Sequence, residues 1–255
     1  MGKNKLKKFA EMQVLPNVFQ CAMREYNPEH PVAQMTGHWH ERFFNNCNPI
    51  TLELGCGHGD YTVGLARLHP DRNYIGIDIK GARIWHGAKE AHLEELSNVA
   101  FLRINIEMLP LFFAPDEVDE IWITFPDPQM KKATKRLTSS YFMARYCKLL
   151  KPNGIIHLKT DSPFLYTYTK AMVEENKFTV ISDSDDLYSS DFIGKYPAAQ
   201  ALQTHYERQW LDRGMTIKYI AWQLPQAEAY IEPEIEIEKD TYRSYGRNYV
   251  SSTNN

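Results

Sequence analysis

The stretch that decides the fold is ITLELGCGHGDYTVGLARL, residues 50–68. It opens with an apolar, partly β-branched run, which favours a buried strand. Alternating glycines follow at 55–59, and apolar residues then recur at helical spacing as far as Leu68. A strand that passes through a glycine turn into an amphipathic helix is the first half of a βαβ unit.

The rest of the chain repeats this alternation of strand and helix. Further strands are predicted at 73–79, 99–105, 120–125, 154–161, 178–183 and 216–224. Helices are predicted at 60–69, 81–96, 139–150, 163–176 and 204–214. This order predicts an α/β, Rossmann-like fold, with a mostly parallel seven-stranded sheet and helices on both faces.

Composition excludes several classes of protein. The 255 residues are 43% hydrophobic and carry a formal net charge of −3, so binding to a polyanion would depend on local basic patches. No apolar run is long enough to predict a membrane span, and the amino end lacks the apolar core of a secretory signal. The four cysteines form no CxxC pair and no zinc-like spacing, so we expect free thiols in a reducing cytoplasm and no metal site.

The glycine turn indicates what kind of ligand it receives. A dinucleotide-binding loop reads GxGxxG, whereas here the third glycine comes one position early and Asp60 follows it. Glu53 precedes the turn, and an acidic pair of this kind repels a pyrophosphate but suits a positively charged ligand. S-adenosylmethionine carries a sulfonium and an ammonium and no phosphate. The spacing E-x-G-x-G-x-G is typical of methyltransferases that use it.

Polar residues end the next three predicted strands. Asp78 ends the second strand, at the position where an acidic residue can bind ribose hydroxyls. Asn105 ends the third strand, where it can meet the adenine or its ribose. Asp127 ends the fourth strand and is expected to face the methyl group. Ligands of such folds lie beyond the carboxyl ends of the strands, so we expect these side chains to gather there.

A proline-stiffened, basic segment follows the fourth strand: FPDPQMKKATKRL, residues 125–137. Pro126 and Pro128 restrict the backbone on either side of Asp127 and so hold its carboxylate in a stiff turn. The segment continues with cations expected to contact phosphates: Lys131, Lys132, Lys135 and Arg136.

The motifs ELGCGHG, FPDPQMKKATKRL, LKTD and THYE occur in an order and spacing that resemble the bacterial tRNA (guanine-N7-)-methyltransferase family. The likeness extends from the basic amino end to about Leu224. It implies a cytoplasmic class I enzyme that converts S-adenosyl-L-methionine to S-adenosyl-L-homocysteine. The implied product is 7-methylguanosine at nucleotide 46, in the variable loop of the partner tRNA.

The resemblance also implies site residues. Together with the glycine turn, the cofactor contacts are Glu53, Gly55, Gly57, Asp78, Asn105 and Asp127, of which Asp127 is also the catalytic carboxylate. The implied substrate contacts are Lys131, Asp161, Thr204, Tyr206 and Glu207, and Lys132, Lys135 and Arg136 would touch RNA. The segment departs from the family pattern, because Gln129 replaces a Trp and 133–134 replace Arg-His. Fewer positive charges of this segment therefore face the RNA than in the family pattern.

These motifs divide the chain into three parts. Residues 1–48 are a basic N-terminal extension, expected to be flexible or to contact RNA. Residues 49–224 are the methyltransferase domain. Residues 225–255 are an acidic and polar tail, which alternates Ile and Glu once and is either an edge strand or loosely ordered.

Guanine N7 has a free lone pair, so no proton must be removed before it attacks a methyl group. We therefore expect Asp127 to orient the reactants, and Glu207 or Asp161 to meet the guanine edge. The alternatives are a methyltransferase for another RNA or a small molecule, an NAD-dependent oxidoreductase, and a non-catalytic RNA-binding module with a Rossmann-like shell. No obligatory protein partner is inferred, and the protein is a monomer or a homodimer.

Overall fold

The protein is described by a computed structural model that covers residues 3–190, 192 and 194–241. The strands are β1 Val18–Gln20, β2 Ile50–Leu54, β3 Asn73–Ile77, β4 Val99–Arg103, β5 Val118–Thr124, β6 Leu150–Thr160, β7 Val180–Ser184 and β8 Lys218–Gln223. The helices are α1 Lys3–Met12, α2 Asp60–Leu68, α3 Gly81–Leu93, α4 Ser140–Tyr146, α5 Pro163–Glu175, α6 Ala198–Ala201 and α7 His205–Leu211. Each predicted strand corresponds to one of β2 to β8.

All strands join one eight-stranded sheet, in the order β1-β4-β3-β2-β5-β6-β8-β7. Strands β1 to β6 run parallel, and β8 is antiparallel to both β6 and β7. The parallel strands β2 to β5 are apolar and largely buried because helices cover both faces. The predicted class is confirmed. The predicted count of seven strands is wrong by one.

The additional strand is β1, which pairs with the outer edge of β4 through Val18 and Phe101. It has three residues, too few to show a period in the sequence. Residues 3–48 are therefore not a detached extension. Helix α1 lies against α3, where the Glu11 carboxylate accepts from the Trp85 indole at 2.9 Å and from the Lys89 ammonium at 3.1 Å. The described residues of this segment pack on the domain, and both its flexibility and its RNA contact stay predictions.

The chain between α4 and β6 differs from the prediction. Helix α4 ends at Tyr146, and β6 begins at Leu150, before the Pro152–Gly154 turn rather than after it. Leu150 pairs with Val118, and the register then shifts so that Ile155 pairs with Glu120. Asn153 has φ +59°, so the turn is accommodated as a bulge within the strand.

The described part of the tail, residues 225–241, contains no strand and packs on the domain, whereas residues 242–255 lie outside the described part of the chain. The Tyr230 ring packs edge-on against Phe178, with 5.7 Å between centroids, and Ile237 packs on the main core. These residues of the tail therefore form an extended segment that packs on the surface of the domain. Among the helices that the structure describes, none is long and apolar enough to cross a membrane.

Candidate active site

The carboxyl ends of the parallel strands form one cleft. Its walls include Gly55 from the loop after β2, Asp78 after β3 and Asn105 after β4. Ile79 and Phe142 add apolar surface to the same walls. The structure therefore brings together three of the residues that the sequence assigned to the cofactor, and a flat apolar ligand has surface to pack on.

The glycine loop is open on the side of this cleft. Gly55 has φ +75°, and a Cβ placed there would meet nothing within 4 Å. Gly59 differs, because with φ +80° its Cβ would lie 2.7 Å from the Phe101 ring. The first glycine thus leaves backbone accessible to a ligand, and the third allows α2 and its loop to pack closely on β4.

Asp78 holds the loop in place. One carboxylate oxygen accepts from the Gly57 amide at 3.1 Å, and the other accepts from the Lys80 amide at 2.8 Å. Only 9% of the residue is exposed. Each oxygen retains a lone pair, so this carboxylate can still accept hydrogen bonds from a ligand such as a ribose diol.

Glu53 lies beneath the loop rather than in the open cleft. One oxygen accepts from the amide and hydroxyl of Thr62, with the amide at 2.8 Å, and the other accepts from the Thr124 hydroxyl at 2.6 Å. Burial is the main cause that raises the pKa of Glu53 to about 7, against these hydrogen bonds. The carboxylate ties together the ends of β2 and β5 and the start of α2. Its direct contact with a cofactor stays a prediction.

These residues fit S-adenosylmethionine. The open space over Gly55 admits the ligand against backbone, and the Asp78 carboxylate is an acceptor for ribose hydroxyls. Buried Glu53 beneath the loop supplies negative potential toward a cationic ligand once it is ionised. The cation on the cleft wall, Lys135, is paired with Glu107 at 2.9 Å, which offsets its charge.

Asp127 is exposed on a strained turn. Its carboxylate accepts from the Gln129 amide at 3.0 Å, while Pro126 and Pro128 are buried. Phe125 and Gln129 have φ of +48° and +47°, which side chains of their kind rarely adopt. Strain of this kind is maintained only where the surrounding structure enforces it, and it clusters at functional sites. The turn thus presents one fixed carboxylate at the end of β5.

The basic residues that follow Asp127 are not equivalent. Lys131 and Lys132 are exposed, and Lys135 is engaged by Glu107. The Arg136 guanidinium lies 4.4 Å from the Tyr168 ring centroid and donates to the Met130 carbonyl at 3.2 Å. Arg136 therefore contacts its own segment and α5, and its proposed contact with RNA stays a prediction.

The predicted base-edge carboxylates, Asp161 and Glu207, are both completely buried. Glu207 forms an ion pair of 2.8 Å with Lys159, which is equally buried, and accepts from the Tyr188 hydroxyl at 2.6 Å. Lys159 also donates to the backbone carbonyls of α6 and its following turn, at 2.6 and 2.8 Å. In this structure neither carboxylate is presented to a base.

Lys159 is a residue that sequence reasoning missed. The signal for it was a lysine inside the apolar strand HLKTD. A charge in a buried strand must be paired, and its partner is an acid distant in sequence. Burial lowers the pKa of Lys159 to about 8, against the attraction of Glu207.

The Thr204–Glu207 segment starts α7 as a capping box. The Glu207 amide donates to the Thr204 hydroxyl at 3.1 Å, and the Thr204 amide donates to the Glu207 carboxylate at 3.2 Å. The His205 amide donates to Asp60 at 3.0 Å, which docks this helix onto the glycine loop. Tyr206 remains 38% exposed beside the loop. Among the residues that the structure describes, no cluster of His, Cys, Asp or Glu could hold a metal ion.

Comparison with known proteins accords with this site. A family model described as "Putative methyltransferase" matches residues 47–220. A relative from Bacteroides thetaiotaomicron, named tRNA (guanine-N(7)-)-methyltransferase, is 56% identical over 97% of this chain and 96% of its own. Relatives of the same name from Bacteroides fragilis and Porphyromonas gingivalis are 58% and 55% identical. They cover 97% and 92% of this chain, and each is matched over 96% of its length.

Solved structures support the fold alone. The 16S rRNA methyltransferase KamB aligns with a TM-score of 0.56 and 16% identity, over 73% of this chain and 92% of its own. An antibiotic-related methyltransferase aligns with a TM-score of 0.53 and 17% identity, over 71% of this chain and 90% of its own. With its cleft, its Asp127 turn and relatives this similar over nearly its whole length, the chain belongs to the tRNA (guanine-N(7)-)-methyltransferase family.

Proposed function

We propose that this protein forms 7-methylguanosine at guanosine 46 in the variable loop of tRNA, with S-adenosyl-L-methionine as the methyl donor. The observation that carries the proposal is the sequence identity of 55–58% to tRNA (guanine-N(7)-)-methyltransferases over nearly the whole chain. Asp127, beyond the carboxyl edge that holds the cofactor cleft, is the proposed catalytic carboxylate. The reaction takes place in the cytoplasm. The enzyme acts as a monomer or a homodimer and needs no other protein.

The residues act by position and charge. Bound S-adenosylmethionine supplies an electrophilic methyl group on a sulfonium. Asp78, Asn105 and the backbone at 55–57 hold the donor. Guanine N7 already has a lone pair, so the protein need only aim it and stabilise the cation that methylation leaves on the ring. The fixed Asp127 carboxylate is placed on a rigid turn that suits both tasks.

Selection of guanine needs an acceptor other than Asp127, because the N1–H and N2–H donors lie on the edge of the base opposite N7. Guanine offers N1–H and N2–H donors to a carboxylate, whereas adenine offers no matching pair. Such a bidentate contact discriminates by about 1–3 kcal/mol. Exposed Lys131 and Lys132 are the proposed phosphate contacts. Of the three predicted substrate residues Thr204, Tyr206 and Glu207, only Tyr206 is exposed to a base. Buried Glu207 and Asp161 support this side of the site from beneath.

The direct test is to incubate the protein with methyl-labelled S-adenosylmethionine and bulk tRNA, and then to digest the RNA to nucleosides. We expect label in 7-methylguanosine, and none in a tRNA transcript with adenosine at position 46. Label in another nucleoside would favour a different RNA methyltransferase. Cofactor binding without transfer to RNA would favour a small-molecule substrate, and RNA binding without cofactor binding a non-catalytic module.

Asp127 is tested with Asp127→Ala and Asp127→Asn. Both variants should lose about a hundredfold or more in kcat on tRNA, since they remove a charge that is aimed at the reacting atoms. The matched control is Asp71→Ala, an exposed carboxylate in the turn before β3 at the opposite edge of the sheet. Wild-type turnover by either Asp127 variant would exclude Asp127 from catalysis.

A further inference from the structure

The extended tail, residues 225–241, contributes two carboxylates to the substrate side of the domain. After β8 the tail reaches the C-terminal end of α5, where Asn176 and Ile231 exchange two hydrogen bonds of 2.7 and 2.8 Å. It then runs back toward the N-terminal end of α5, where Asp240 is buried. We call this segment the strap.

Glu232 is the first of the two carboxylates. One oxygen accepts from the Ser140 amide at 3.1 Å and from its hydroxyl at 2.7 Å, at the first residue of α4. The other oxygen accepts from the Tyr168 hydroxyl on α5. The Ser139 side chain does not cap α4, so the strap supplies the acceptor that this helix start lacks.

The contacts continue from Glu232 to the Asp127 turn. The Tyr168 ring that Glu232 holds is the ring beneath the Arg136 guanidinium, 4.4 Å away. Arg136 in turn donates to the Met130 carbonyl at 3.2 Å, three residues after Asp127. A continuous series of polar and ring contacts thus joins the tail to the loop that carries the proposed catalytic carboxylate and both exposed lysines.

Asp240 is the second carboxylate, and it acts at the next strand end. It accepts from the Ser162 hydroxyl and from the Phe164 amide at 3.0 Å. The Ser162 hydroxyl itself accepts from the Leu165 amide at 3.0 Å, which caps α5. These bonds fix the turn directly after Asp161.

We propose that two residues of the strap, Glu232 and Asp240, serve the methyltransferase site as positioning residues that hold the two substrate-side loops in place. Neither carboxylate contacts the glycine loop, and their contacts converge on the loops that carry Asp127 and Asp161. The segment that Glu232 holds also carries Lys135 and Phe142 on one wall of the cofactor cleft, so we expect the larger effect, but not the whole of it, on the side that receives RNA. The inference rests on the proposed function for its kinetic readout but not for its structural one. Two carboxylates of the acidic tail, Glu232 and Asp240, are thus engaged in hydrogen bonds with the domain.

The kinetic test compares Glu232→Ala and Asp240→Ala with Glu236→Ala, an exposed carboxylate of the same strap. The first two should lower kcat/KM for tRNA about ten- to hundredfold, because small displacements of a catalytic group are costly. Their dissociation constant for S-adenosylhomocysteine should stay within about twofold of wild type. Glu236→Ala should resemble wild type in both measurements.

Conservative variants separate positioning from general destabilisation. Glu232→Gln keeps an oxygen for Ser140, and Asp240→Asn keeps one for the Phe164 amide, so each should restore most of the activity that the alanine variant loses. Alanine variants with wild-type tRNA kinetics would overturn the proposal. So would losses of tRNA activity that are matched by equal losses of cofactor affinity.

Hydrogen exchange tests the strap without any substrate. In Glu232→Ala, backbone amides between 129 and 140 should exchange about tenfold faster, while those of the glycine loop at 55–59 stay unchanged. Unchanged exchange at 129–140 would overturn the proposal even if the protein has no activity on tRNA. If the wild-type protein is inactive on tRNA and Glu232→Ala still exchanges faster at 129–140, the positioning role of Glu232 is supported and the proposed function is rejected.

Discussion

Glu53 is a buried carboxylate whose ionisation opposes folding. Its pKa is raised to about 7 in the folded protein, mainly by burial, from an ordinary value of 4.5. Between these two values the folded state binds more protons than the unfolded state, so the free energy of unfolding falls as pH rises. The contribution of Glu53 to the free energy of unfolding is complete below pH 4.5, and it is lost as pH rises through about 7.

We predict that Glu53→Gln removes this pH dependence. Glutamine fills the same space and keeps an oxygen for Thr62, but it cannot ionise. Wild type should lose stability relative to Glu53→Gln by about 1.4 kcal/mol per pH unit within the window. Urea unfolding at pH 5.5 and pH 8 measures both proteins, and parallel profiles would show that Glu53 does not titrate there.

The buried pair of Lys159 and Glu207 gives a second prediction at this scale. Lys159→Ala leaves the Glu207 charge without its cation in a site that excludes water, and should cost about 3–5 kcal/mol of stability. The double variant Lys159→Met, Glu207→Gln should recover most of that loss. Lys151→Ala breaks the half-exposed ion pair with Asp119 and should cost less than about 1 kcal/mol.

Chemical denaturation of the four proteins distinguishes these cases. If Lys159→Ala were no more destabilised than Lys151→Ala, the buried pair would contribute little. If the double variant were as unstable as the single one, packing rather than the unpaired charge would explain the loss.

Among the elements, the loop between β5 and α4 combines rigidity with exposed charge. Its Asp127 turn is strained and held by buried prolines, whereas Lys131 and Lys132 extend into solvent. Arg136 was expected to join them, but ring contacts with Tyr168 and Phe164 keep it within the fold. We therefore expect the first part of the loop to supply most of the cations for RNA, while its end anchors the loop to the domain.

Reversing both exposed lysines, in Lys131→Glu with Lys132→Glu, should weaken tRNA binding by about tenfold or more at low salt. The dependence of log Kd on log salt should become shallower by about one per lost phosphate contact. Cofactor affinity should not change. The control is Lys148→Glu, an exposed lysine in the connection from α4 to β6. Equal weakening of cofactor and tRNA binding would contradict the assignment.

For the whole molecule, the cofactor cleft is assembled from the loops after β2, β3 and β4, and from α4 with the segment that precedes it. A ligand bound there stabilises every element that the sheet joins. We predict that S-adenosylhomocysteine at about 100 times its Kd raises the free energy of unfolding by about 2.7 kcal/mol. NAD at the same concentration should have no effect, because the acidic loop disfavours a pyrophosphate. Denaturant midpoints measure both, and stabilisation by NAD would revive the oxidoreductase alternative.

How much the sequence determined can be judged from particular elements. Strands β2 to β8 were predicted because each is a run of five residues or more bounded by turns, and the parallel strands β2 to β5 are also apolar and largely buried. Strand β1 was missed because its three residues carry no period, and only the open edge of β4 makes them a strand. The grouping of Gly55, Asp78 and Asn105 followed from topology, since parallel strands end at one edge.

The local chain by itself determined the fold class, the cofactor class and the family, because glycine spacing, strand periodicity and short motifs are properties of neighbouring residues. Tertiary structure alone decided which charged side chains are exposed to a ligand and which are paired inside the protein. It buried Glu207 against Lys159, placed Arg136 over Tyr168, and brought Glu232 and Asp240 to the substrate-side loops. Those pairings join residues far apart in sequence, and their energies depend on burial and distance, which no local pattern records.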